Sequence, residues 1–300
     1  MALAAPVAAR ADLPILAIPW TRALPPRPGV PAPAHPAAPC SPAAPSCVDA
    51  VVSRMIRAWR PLDQACDHRA VFALTYLITT QGFRRYLSDV RGSQFFADEP
   101  WIIELDRTFA DLYFSAVSRY RTGTAPPAWR IAFDAAGSGR TNGVQDLFLG
   151  MNAHIQRDLP VALAAAGLVD GRGVSHKGDH DRVNAILTAV LDPIEAELVR
   201  RYDPLFGTAD VSPIPADEQA ALEMLKAWRE GAWRNAERLA LARTRAARAR
   251  VMAQIEAASQ AWALLIQAPD FSWYRASRDA YCRRNDRNRP PGGTRNANSA

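Results

Sequence analysis

The chain has 300 residues, of which 49% are hydrophobic and 22% charged, enough for one large domain or two small ones. No run approaches the roughly 20 apolar residues that span a membrane, and LPILAIPW near the N-terminus, broken by two prolines, makes a poor secretory leader. The formal charge of +6 sits at the ends: residues 1–48 carry +2 and the last 20 carry +4, so 49–280 is neutral and argues for no specific nucleic-acid face.

Residues 1–48 hold 12 of the 24 prolines, mixed with alanine. Proline removes donors and alanine offers little surface to bury, so the composition predicts a disordered or polyproline-like extension. From residue 49 the pattern is helical. VDAVVSRMIRAWRPL carries an apolar stripe at Val51, Val52, Met55, Ile56 and Trp59. HRAVFALTYLITTQGFRRYL is apolar almost all round, as a central helix is. DEPWIIELDRTFADLYFSAVSRY opens with acidic residues and Pro100, a helix start.

After the break RTGTAPP, residues 144–166 read as one helix that Pro160 bends or ends. A loop, GLVDGRGVSHKG, leads to a helix from Asp179 to Tyr202 with Pro193 near a kink. YDPLFGTADVSPIPADE connects to one long helix from 217 to about 266. Residues 279–300 predict a disordered basic tail. The expectation is therefore all-α: a single multi-helix domain over 49–278, of about six to eight helices. Cys40, Cys47, Cys66 and Cys282 show no metal-ligand spacing, and the expectation is a reduced, cytoplasmic protein.

The chemistry concentrates in GMNAHIQRDLPVAL. His154 and Asp158 stand four apart, about 40° from each other around a helix, so both can face one object. Imidazole with carboxylate suits zinc, iron or manganese. Two ligands make half a site, and SHKGDHDRVNAIL offers His176, Asp179, His180 and Asn184 as further donors; three of the five histidines fall between 154 and 180. A short connection makes the two helices antiparallel neighbours. Asp106 and Asp111, in ELDRTFADLYF, are further acidic candidates. Against this stands a structural reading: His154 and Asp158 paired as a buried couple, Asp179 as a cap, Asn184 tied to a backbone group.

GSGRTNG follows no strand and lacks a P-loop lysine, which makes it a loop and no phosphate cradle. No serine or cysteine sits in a nucleophile arrangement. WREGAWRNAERL reads as core packing, with Glu237 within reach of Trp233 or a surface partner.

GMNAHIQRDLP, DHDRVNAIL and AWREGAWRNAERL, in that order, resemble the hallmark segments of a family of bacterial proteins catalogued only as a domain of unknown function. FFADEPWIIELDRTFADLYFSAV fits the same pattern, and the resemblance covers roughly residues 50–266. It implies that Asp106, Tyr113, Asn152, His154, Asp158, His176, Asp179, Asn184, Trp233, Asn235 and Glu237 occupy the family's typical polar and aromatic positions. Two positions depart from it: His180 stands where an aromatic is usual and Asp111 where asparagine is usual. That favours His176 with Asp179 over His180 as ligands.

The leading expectation is a metal-dependent hydrolase of an ester or phosphoester. His154, Asp158, His176 and Asp179 would hold the metal, and Asp106 or Asp179 would act as general base on a metal-activated water. The alternative is a non-catalytic helical protein that binds a small-molecule or lipid-like ligand or a partner, its polar core being structural.

Overall fold

The computed structural model describes residues 24–33, 45–88, 95–206 and 218–286. The described residues are helical, with no strand beyond one isolated bridge between Val169 and Ser175. The all-α expectation holds. Helices α1 (Pro45–Gln64) and α2 (Ala70–Ser88) pack side by side, and α3 (Glu99–Arg121) crosses both α1 and α6. Helix α3 starts where Asp98 accepts the backbone N–H of Trp101 at 3.0 Å and Pro100 occupies the first turn. Helix α4 (Pro127–Ser138) follows, a segment that the sequence pattern did not single out.

The central rod is α5 (Gly143–Met151), a seven-residue π-helix (Asn152–Asp158) and α6 (Leu159–Ala166). Asn142 and Gln145 form a reciprocal capping box at its start. The expected bend at Pro160 takes the form of this π-helix. Proline lacks an N–H and its ring collides with the carbonyl four residues back. A wider turn ahead of Pro160 relieves that collision, and Leu159 N–H donates to the His154 carbonyl, five residues back. Leu149, Ala153, Leu159 and Leu163 bury the rod on successive turns. Gly150 is required where α2 crosses: a Cβ there would lie 2.3 Å from Phe72 Cγ.

Helix α7 (Lys177–Arg201) runs unbroken through Pro193. The single helix expected from 217 to 266 is two, α8 (Glu218–Leu241) and α9 (Arg245–Gln267). Thr244 ends the continuity because its hydroxyl caps α9, accepting Ala247 N–H at 3.1 Å.

The boundaries also shift. Helix α1 begins at Pro45, with Val48 buried, and helix α10 (Arg275–Asp286) runs into the segment read as a tail. Arg278 of α10 is 2% exposed, its Nη1 donating to His68 Nδ1 and Asp146 Oδ2, both at 2.8 Å. The expectation of reduced thiols is corrected too: Cys66, in the turn between α1 and α2, is disulfide-bonded to Cys282 of α10, and Cys47 is also in a disulfide.

Candidate functional site

The π-helix delivers His154 into a box of rings. Its imidazole stacks on Phe109 of α3 with centroids 3.5 Å apart and planes 4° from parallel. Tyr76 and Phe72 of α2 meet it edge-on at 4.5 and 5.8 Å, and Tyr113 and Trp129 complete the box. His154 Nδ1 faces Asp158 Oδ2 at 3.3 Å. Asp158 is fully buried and accepts two more bonds, from Trp129 Nε1 and Arg157 Nη1, each at 2.7 Å. Because a carboxylate oxygen accepts, the His154 ring carries its proton on Nδ1 and turns a bare Nε2 lone pair outward. Burial pulls the His154 pKa down against the pull of Asp158, which keeps the ring neutral.

That Nε2 has no protein partner although it is shielded from solvent. His154 is one of the residues around a cavity of about 120 Å³ whose walls come from α2, α3, the α5–π-helix–α6 rod, α7 and α8. Three more shielded atoms without a partner belong to residues on the same walls: Tyr76 Oη, Thr80 Oγ1 and Asp106 Oδ2. Burial pushes the Asp106 carboxyl up to about 7, so near neutrality it is protonated in a large fraction and can donate. Burial likewise raises the Tyr76 phenol, with Asp106 adding to the effect. Arg229 contributes a buried cation to one wall, its Nε donating to Asn184 Oδ1 at 2.8 Å and its Nη2 to the His180 carbonyl. Burial lowers its pKa to about 10, so it stays charged. Thr75 and Thr79 also border it, their hydroxyls bonded to the Val71 and Thr75 carbonyls, and the rest of the lining is apolar, including Phe83, Ile102, Leu105, Ile155 and Ile186.

The four residues expected to hold a metal make two separate sets of contacts. His176 stacks on Trp101, centroids 4.4 Å apart, with Nδ1 3.8 Å from Asp98 Oδ2. Asp179 accepts the backbone N–H groups of Ala97 and Asp98 at 2.8 and 2.7 Å, tying down the chain entering α3. Among the described residues no group of three or more His, Cys, Asp or Glu is placed to hold a metal ion. Both oxygens of Asp158 accept strong donors from the protein, Trp129 Nε1 and Arg157 Nη1.

The other polar candidates hold the frame. Asn152 donates to the Ser259 carbonyl at 2.8 Å and accepts from Gln156 at 2.7 Å. Asn235 accepts from Arg238, and Glu237 accepts the Trp233 indole N–H at 2.9 Å. Tyr113 packs against Phe72, Tyr76 and Trp129. Asp111 lies outside the cavity, paired with Arg54 and Arg107. His180 is 1% exposed beside Trp233, where an aromatic would pack equally well.

Sequence reasoning missed Tyr76, Thr80, Phe109, Trp129 and Arg229. One signal was present: the hydroxyls of Tyr76 and Thr80 fall within the mostly apolar stretch AVFALTYLITT. The model of a family described only as a family of unknown function, DUF5995, matches residues 48–269. The chain belongs to that family. The DUF5995 match takes in every wall of the cavity and stops short of α10. No curated protein and no solved structure matches the chain.

Proposed function

We propose that this protein binds a small molecule with an apolar body and one polar, preferably acidic, head in the cavity beside His154. One observation carries the reading: four residues around a single, largely apolar cavity, Tyr76, Thr80, Asp106 and His154, each hold a solvent-shielded polar atom without a partner. Buried polar groups are almost always paired, and each exception asks for what pairs it. Apolar walls with a few convergent polar groups are the usual form of a small-molecule site. At about 120 Å³ the space approaches engineered cavities of ~150 Å³ that accept benzene. Asp106 donates to the head and Arg229 favours a negative charge on it, while His154 Nε2 accepts from a head that keeps an O–H.

A second reading is favoured by the Asp106 carboxyl, held near 7 beside a neutral imidazole. Such a pair suits general acid–base catalysis, including hydrolysis of an ester or phosphoester. The paired cysteines speak for an oxidising compartment over the reduced cytoplasm.

The test is a melting-temperature panel of benzoate, hexanoate, benzyl alcohol and hexylamine on wild type, His154→Phe and Asp106→Asn. A ligand at about 100 times its Kd should raise the wild-type Tm by roughly 5 °C, with the acids ahead of the alcohol and amine. Both variants should lose the shift. No shift from any compound, with water alone on the four polar atoms in a crystal structure, would defeat the binding reading. Turnover of p-nitrophenyl esters that Asp106→Asn abolishes would select the catalytic one. Elemental analysis provides a separate check: a stoichiometric metal lost in His154→Phe would replace both by metal-assisted chemistry.

A further inference from the structure

On the other side of the π-helix from the cavity, α8 and α9 frame a groove with Trp228 and Trp262 in its wall, their rings edge-on at 5.5 Å. The N-terminal arm lies along it. Leu24 and Pro25 pack over Gly231, where a Cβ would stand 3.6 and 3.5 Å from their side-chain carbons. Arg234 Nη1 donates to the Pro25 carbonyl at 3.2 Å. Arg27 Nη2 donates to Glu230 Oε1 at 2.9 Å, and the same oxygen accepts from Arg234 Nε at 2.8 Å. A Leu-Pro-Pro-Arg segment thus shares a groove with two tryptophans and meets a donor to its Pro25 carbonyl and a carboxylate that fixes its arginine.

These are the elements by which proteins read proline-rich chains. Proline presets the extended conformation, so little entropy is lost on docking, and aromatic surfaces receive the rings. The groove also exceeds its present occupant. About 410 Å³ stays open beside Leu24, Pro25 and Pro26, bordered by Gln156, Gln254 and Trp262. Trp228, a residue of that wall, has an indole Nε1 that is shielded from solvent with no partner.

We propose that the α8–α9 groove is a binding site for proline-rich, arginine-bearing segments, and that this chain fills it in cis with its own Leu24–Arg27. The arm rejoins the fold at Pro45, and so short a tether holds it at an effective concentration on the order of millimolar. A free peptide of the same sequence competes poorly against it. The match to the family begins at residue 48, so the groove falls within the matched region and the arm outside it.

Fluorescence anisotropy of a labelled peptide spanning residues 22–30 tests this on the full chain. Binding to wild type should be at least tenfold weaker than to the Leu24→Ser/Arg27→Glu variant, whose arm is loosened. Adding Glu230→Arg to that variant should abolish binding. No binding to the loosened variant would overturn the proposal, as would equal binding with and without Glu230→Arg. A wild-type dimer that dissociates on Leu24→Ser/Arg27→Glu would assign the occupant to a second copy and overturn the cis assignment.

Discussion

The imidazole of His154 lies flat on the ring of Phe109, centroids 3.5 Å apart, and donates its Nδ1–H towards Asp158 Oδ2 at 3.3 Å. One face and one nitrogen are therefore committed to the fold, and Nε2 alone is left for another molecule. The two residues of the original sequence pair thus carry different duties. His154→Phe keeps an aromatic among aromatics, and Asp158 retains Trp129 and Arg157 as partners. We expect it to cost no more than about 1–2 kcal/mol while ligand binding disappears. Asp158→Ala leaves the Trp129 indole N–H without its acceptor and removes the charge nearest Arg157, and we expect about 3–5 kcal/mol. Urea unfolding of both variants checks the contrast, and equal costs would refute this division of roles.

Asp106 makes stability depend on pH in a direction unusual for a carboxylate. Its pKa rises on folding from 3.8 to about 7, so between these values the folded chain holds a proton that the unfolded chain has lost. Stability from this residue is complete below the unfolded pKa and declines as pH rises through about 7, by at most about 1.4 kcal/mol per pH unit. Asp106→Asn removes that decline. Unfolding measured from pH 4 to 8 should show the variant gaining on wild type as pH rises, then a constant gap above about 7.5. A gap independent of pH would mean that Asp106 titrates normally.

The helices were legible because buried and exposed residues alternate with the helical period, as Val51, Val52, Met55, Ile56 and Trp59 do. The site was only half legible. The four-residue spacing of His154 and Asp158 announced a shared face, but a metal and a hydrogen-bonded couple demand the same spacing. Nor does the spacing show Trp129, brought to Asp158 by a helix 29 residues earlier in the chain. Asp179 is ambiguous in the same way, since its oxygens accept from the backbone of Ala97 and Asp98, more than 80 residues away. The π-helix left its trace in Pro160, which told of a disturbance without its form. The disulfide was illegible because a separation of 216 between Cys66 and Cys282 follows no spacing rule.

His180 gives the opposite pH signature to Asp106. Burial and the neighbouring Arg229 depress its pKa from 6.5 to about 3, so the folded chain refuses a proton that the unfolded chain takes up. Its contribution is present above pH 6.5 and is lost as pH falls towards 3, at up to about 1.4 kcal/mol per unit. His180→Phe keeps the packing on Trp233 and cannot titrate. Acid unfolding followed by circular dichroism should begin at lower pH in this variant, with stability at pH 7.5 close to wild type. Unchanged acid unfolding would show that His180 is protonated without cost.

Bonds of different kinds hold helix α10, among them the buried Arg278–Asp146 ion pair at 2.8 Å and the Cys66–Cys282 disulfide. The disulfide closes a loop of 216 residues, for which chain entropy gives up to about 5 kcal/mol. The Cys66→Ala/Cys282→Ala variant should lose about 2–5 kcal/mol in urea, and dithiothreitol should bring wild type to or below the same value, because Cys47 is also disulfide-bonded. The loss should not extend to the His154 cavity, whose lining contains no residue of α10. Ligand-induced stabilisation should therefore survive in the variant. Free thiols at both positions in the purified protein, found by alkylation and mass spectrometry, would remove the clamp from the account of the fold.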